Sequence, residues 1–150
     1  MVTNEVVVFF IHEFYHLAIG LALYLSLSKI IPGVKYAILA LIVALILDAD
    51  HLFDYFMALG FQLNLDAIFQ GSYFDYNNKI YVLLHSWELA TILFILGWVK
   101  KLKEQKRFLI ATSMGILSHL IADQVWYQSH PLGYFLLARF FHNFTPAYFW

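Results

Sequence analysis

Ala40-Leu41-Ile42-Val43-Ala44-Leu45-Ile46-Leu47-Asp48-Ala49-Asp50-His51 decides how this chain is read. Its aliphatic run has the character of a bilayer-crossing helix, and folding such a helix gives no reason for the Asp-x-Asp-His that ends it. Three more apolar stretches carry groups of the same kind: His12-Glu13-Phe14-Tyr15-His16, His85-Ser86-Trp87-Glu88 and His119-Leu120-Ile121-Ala122-Asp123. The four groups contain no lysine or arginine. One ionised carboxylate at membrane depth costs ~2.5–3.5 kcal/mol on insertion scales, so several together need a cation from elsewhere. A bound metal ion is the economical source.

Composition agrees. The 150 residues are 62% hydrophobic and 13% charged, against ~45–50% apolar in an ordinary soluble domain. A helical crossing uses ~20 residues, so one helical membrane domain covering 1–150 is expected, with no separate soluble unit. The net charge of −1 argues against a nucleic-acid partner. Without cysteine, a metal site has to be built from imidazole and carboxylate, and the redox compartment stays open. Met1 to Glu5 lack the basic region of a secretory signal, so the first apolar segment reads as a retained span.

The expected fold is all-α: a bundle of four transmembrane helices plus a short interfacial helix. Span one runs from about Val6 to Leu27 and stops at Pro32-Gly33. Span two runs from Val34 to near Gly60, span three from Ile80 to Val99, and span four from Phe108 to about Trp126. The aromatic segment Phe61 to Asn78 suits the interface, and Tyr134 to Phe144 reads as the short interfacial or re-entrant helix. Loops after spans one and three hold Lys29, Lys35, Lys100, Lys101, Lys103, Lys106 and Arg107, whereas the other side holds Lys79 and Arg139. By the positive-inside rule the chain is expected in the cell's inner membrane with both termini extracytoplasmic. At 1.5 Å per residue, His12, Asp48, His85 and Asp123 then lie roughly 6–10 Å below the outer helix ends. Groups early in spans one and three thus match groups late in spans two and four, as one shared site requires.

Within the groups, His12 and His16 are four apart on one helix face, and with Glu13 they spell His-Glu-x-x-His, the zinc-protease pattern in which the carboxylate activates water. Asp48 and His51 share a face, but Asp50 is turned about 200° from Asp48, so both aspartates reach one centre only where the helix distorts or ends. Asp54, or Asp50 itself, otherwise faces headgroup water. His85 and Glu88 sit three apart. His119 and Asp123 are four apart and serve either as two ligands or as an imidazole with its orienting carboxylate. Ser86 as a nucleophile is weighed against a serine bonded to its own backbone. Ser118, Gln124, His130 and His142 read as structural or interfacial. Arg139 is a candidate for substrate phosphate, a carboxylate or headgroups. Candidate metal ligands are therefore His12, His16, Asp48, Asp50, His51, His85, His119 and Asp123, with Glu13 and Glu88 as candidate proton-moving groups. These exceed one tetrahedral zinc and suit two divalent transition ions, zinc first, manganese or iron next, ~3.5–4 Å apart.

Leu47-Asp48-Ala49-Asp50-His51, His85-Ser86 and Gly115-Ile116-Leu117-Ser118-His119-Leu120-Ile121-Ala122-Asp123 resemble the LexA-regulated, predicted membrane-bound metal-dependent hydrolases. That resemblance implies a helical membrane hydrolase with a distant likeness to zinc-dependent phospholipase C and its multi-metal site. The expected function is hydrolysis of phosphoester or other ester bonds in lipid-like substrates at the outer leaflet. Two alternatives stand beside it: an intramembrane zinc protease of the site-2 type, with Asp48 or Asp50 as third ligand, and a non-enzymatic metal transporter or metal-stabilised scaffold. A transporter would want polar residues through the inner halves of the spans, which are aliphatic and aromatic.

Overall fold

The long apolar runs form helices, as their composition requires. The computed structural model describes residues 2–29, 31–128 and 130–149. In chain order these build α1 (Val2–Leu27), α2 (Val34–Ile46), a 3-10 turn at Leu47–Asp50, α3 (His51–Leu59), α4 (Leu65–Gln70), α5 (Tyr73–Asn77), α6 (Trp87–Leu96), α7 (Lys106–Tyr127) and α8 (Leu136–Phe141). No strand occurs among the described residues.

Three helical stretches are long and apolar enough to cross a membrane: Val6–Ser26, Val34–Leu59 and Lys106–Tyr127. The third expected span differs. Its helix, α6, has ten residues, a rise of ~15 Å and about half of a hydrocarbon core. Residues 78–86 turn instead of entering the helix, because Ser86 is extended and its side chain accepts the Leu89 amide as an N-cap. Asn78 and Val82 have positive φ, 51° and 29°, which a helix excludes.

Helix α7 is the hub, packed against α1, α2 and α6. Its seam with α2 is tight at Gly115, where a Cβ would stand 2.6 Å from the Ala40 carbonyl oxygen. Gly20 of α1 faces Ser118 and Leu41 in the same way, the small-residue contact by which membrane helices approach closely. Between α7 and α6 the Ser113 hydroxyl donates to the Ala90 carbonyl at 2.7 Å. Outward faces of α1 and α2 leave Phe10, Phe14, Leu25, Ile38 and Ile46 exposed, as lipid-facing surfaces do. The 61–78 segment forms α4 and α5, which fold over α3 through a cluster of Tyr55, Ala67 and Tyr73. The expected helix within 134–144 is present as α8.

Candidate metal centre

On α1 the four-residue spacing places His12 and His16 on a buried face, ring centroids 4.4 Å apart. The same spacing on α7 places His119 and Asp123 opposite them, and the His119 ring stacks on His16 at 3.9 Å. His119 Nδ1 lies 2.6 Å from the Ala44 carbonyl oxygen. A carbonyl only accepts, so Nδ1 carries the proton and Nε2 is the nitrogen offered to the cluster.

The 3-10 turn answers the question of the two aspartates. Three residues per turn, in place of 3.6, bring Asp48 and Asp50 to two sides of one imidazole. Asp48 Oδ1 stands 3.4 Å from His51 Nε2, 3.4 Å from His85 Nε2 and 3.3 Å from His119 Nε2. Asp50 sits behind His85, its Oδ1 2.9 Å from Nδ1, and its Oδ2 accepts the Leu84 amide at 2.7 Å. His51 Nδ1 meets the Tyr73 hydroxyl at 3.1 Å. Burial pushes that hydroxyl's pKa up, with Asp54 and Asp48 adding to the effect, so the phenol stays protonated.

Asp123 divides its two oxygens. Oδ1 faces His12 Nε2 at 3.1 Å and His16 Nε2 at 3.5 Å, while Oδ2 faces His119 Nε2 at 3.4 Å and His85 Nε2 at 3.6 Å. Glu13 completes a group with His12, His16 and Asp48 whose ligand atoms lie within 4.8 Å of one another. All eight candidate ligands, and Glu13, are therefore brought together.

The donor set suits metal on three counts. Donors ~2.0–2.2 Å from a common ion stand roughly 3–3.5 Å apart, and the separations among the inward-facing atoms span 3.1–3.6 Å. His85 Nε2 and His119 Nε2 approach to 2.8 Å, and with their other nitrogens turned to acceptors, two lone pairs face each other unless a cation lies between. Buried His16 has no hydrogen-bond partner on either ring nitrogen, an arrangement costing about 1–3 kcal/mol per orphaned group unless something else is bound.

His85 belongs to no helix, and its loop is held by buried charges. Asp54, expected to face headgroup water, is 1% exposed and accepts the Tyr81 and Val82 amides at 2.6 and 2.9 Å. Arg139, a candidate for substrate, is 0% exposed. Its guanidinium donates to the carbonyls of Tyr81, Val82 (3.0 Å) and His85 (2.7 Å). Burial lowers its pKa to about 10, so it stays charged at neutral pH as a brace, out of a substrate's reach. Glu88, a candidate proton carrier, accepts the Leu136 and Leu137 amides at 3.0 Å each and the Ser86 hydroxyl at 2.8 Å. With both oxygens so engaged it anchors α8 away from the cluster. The Ser86 hydroxyl caps α6 by accepting the Leu89 amide and donates to Glu88.

Above the cluster lies a cavity of about 600 Å³. His12, Asp48, His51, His85 and Asp123 contribute its polar part, and Phe9, Leu52, Phe69, Phe74 and Ile80 much of its apolar wall. Comparison with family models, curated proteins and solved structures finds no match to this chain. Sequence reasoning missed Asp54, Tyr73 and Arg139 as supports. For Asp54 a signal existed: it follows Asp50 by four residues and so shares its helix face.

Proposed function

We propose that this protein is an integral-membrane, metal-dependent hydrolase with two ions at this centre, acting on phosphoester or other ester bonds of lipid-like substrates. The observation that carries the reading is Asp123, whose two oxygens each face a different pair of imidazoles. A carboxylate so placed would hold two ions between these imidazole pairs, the two-metal arrangement that phosphatases and nucleases use. Charge supports the count: Glu13, Asp48, Asp50 and Asp123 are four carboxylates, which two divalent ions neutralise.

Such ions, when bound, supply an activated water and neutralise charge developing on the scissile group. The chain's own residues do the rest. His119 and His85 are held with Nε2 inward by the Ala44 carbonyl and Asp50. Glu13 is half-buried beside Asp48 and is the carboxylate free to take and return the proton. The apolar wall of the cavity excludes water and accepts an acyl chain. We place the protein in the inner membrane with both termini extracytoplasmic and α6 as a short fourth crossing element, following the lysine and arginine bias. Membership of the LexA-regulated membrane hydrolase family belongs to the same proposal, resting on the motifs around Asp48, His85 and His119.

One further reading has its own observation: His12, Glu13, His16 and Asp48 form a compact group that fits an intramembrane zinc protease. Three more imidazoles converge on Asp48, which that reading leaves unused. The test is elemental analysis of detergent-purified protein together with a phospholipid turnover screen. Bound zinc, manganese or iron, with activity lost in Glu13→Gln and His119→Ala variants, is the expected result. Protein that neither retains nor takes up a transition metal sinks the proposal, and peptide cleavage that survives His119→Ala favours the protease.

A further inference from the structure

We propose that the two ions are held unequally, one tightly at Asp48, His51, His85 and His119, the other loosely at His12, His16 and Glu13, with Asp123 shared between them. The inference rests on the two-ion reading above and adds an order of binding to it.

The first set draws its donors from the Leu47–Asp50 turn, α3, the 80–86 loop and α7. The Ala44 carbonyl accepts from His119 at 2.6 Å and the Tyr73 hydroxyl meets His51 at 3.1 Å, while His85 Nδ1 has the Asp50 carboxylate behind it at 2.9 Å, an ion-pair contact without hydrogen-bond alignment. Asp50 is itself fixed by the Leu84 amide. With Asp48 Oδ1 and Asp123 Oδ2 the set offers five donors, enough to close the coordination of an ion.

The second set offers two imidazoles, both from α1, and Asp123 Oδ1. His16 Nδ1 has no hydrogen-bond partner, so nothing fixes the tautomer that presents Nε2. With Asp48 engaged by the first ion, three protein donors leave a position open, as sites that handle substrate do, and Glu13 stands within 4.8 Å of His12 and His16 as an exchangeable fourth. Partners behind a ligating imidazole are worth 10–100-fold in metal affinity. The second ion also enters beside one already bound, whose charge opposes it. Both effects weaken the same site.

The test is zinc titration of chelator-stripped protein in detergent, followed by a fluorescent zinc competitor, with ions counted by elemental analysis after dialysis against graded chelator. Two steps separated by at least tenfold are expected for the unaltered chain, based on ~10–100-fold per missing partner. His16→Ala should lose the weak step and keep the tight one, and His12→Gln, at the cavity edge, should do the same if His16→Ala fails to fold. His51→Ala should weaken the tight step. Two ions of equal affinity, or loss of the tight step in His12→Gln, overturns the inequality while leaving the two-metal hydrolase standing. One ion per chain overturns the inequality and the two-ion count, and binding of no zinc, manganese or iron overturns the hydrolase reading itself.

Discussion

The two halves of the candidate metal centre hold the same kinds of side chain by different means. On α1 and α7, His12, His16, His119 and Asp123 sit on regular helices, and a four-residue repeat aims them inward. Opposite them, Asp48 and Asp50 sit on a 3-10 turn and His85 on a loop whose amides and carbonyls are taken by Asp54, Asp50 and Arg139. A helix satisfies its own backbone, so its ligands need little support. A loop at membrane depth does not, and it recruits buried charge to do so. The loop half should therefore be the more fragile one when its supports are removed.

Arg139→Ala is the largest break. It leaves the carbonyls of Tyr81, Val82 and His85 without a donor, at about 1–3 kcal/mol for each buried group, so a loss above roughly 3 kcal/mol is expected in reversible unfolding in detergent. Arg139→Lys should recover part of it, because an ammonium reaches fewer of the three acceptors. A loss below about 1 kcal/mol in Arg139→Ala would show that the loop is held by something else. Asp54→Asn comes next. The amide keeps one acceptor oxygen, so either the Tyr81 or the Val82 N–H meets an NH2 group and is left unpaired while the other bond loses its charge assistance, for an expected ~1–3 kcal/mol, read as a lower melting temperature and faster amide exchange at those two residues.

The helical half is attacked at its seam. Gly115→Ala places a Cβ against the Ala40 carbonyl oxygen and Val43, neither of which is the end of a flexible side chain, and overpacking of this kind costs about 1–3 kcal/mol. His12→Ala should be the mildest. In metal-free protein its effect on stability is expected below ~1 kcal/mol, since it removes one half of a 3.1 Å contact near the cavity without unpairing any backbone group. A large loss there would erase the contrast between the halves.

The same contrast governs what could be read from the sequence. Spans at 6–27, 34–60 and 108–126 follow from apolar runs, and three long helices occupy those positions. The pairs His12/His16 and His119/Asp123 follow from helical periodicity, and they face one another. The requirement that the helix distort for Asp48 and Asp50 to serve one centre was also legible, and the turn at Leu47–Asp50 meets it. Residues 80–86 were not legible as a loop. Ile80 to Leu84 is as apolar as a span, and what unwinds it is distant: Asp54 at the end of the previous long helix and Arg139 some fifty residues later. Arg139 read as a surface cation for the same reason, because composition cannot tell a headgroup contact from a buried brace. Glu88 lies three residues from His85 in sequence, yet Ser86 between them ends the loop and starts α6, so the carboxylate turns to the amides of α8 instead of the cluster.

The central claim, two ions bridged by Asp123, is tested most directly by anomalous diffraction from crystals of zinc-loaded protein at the zinc edge. Two peaks ~3.5–4 Å apart, one between Asp48 and His85, the other beside His12 and His16, are predicted. One peak, or peaks remote from Asp123, would contradict it.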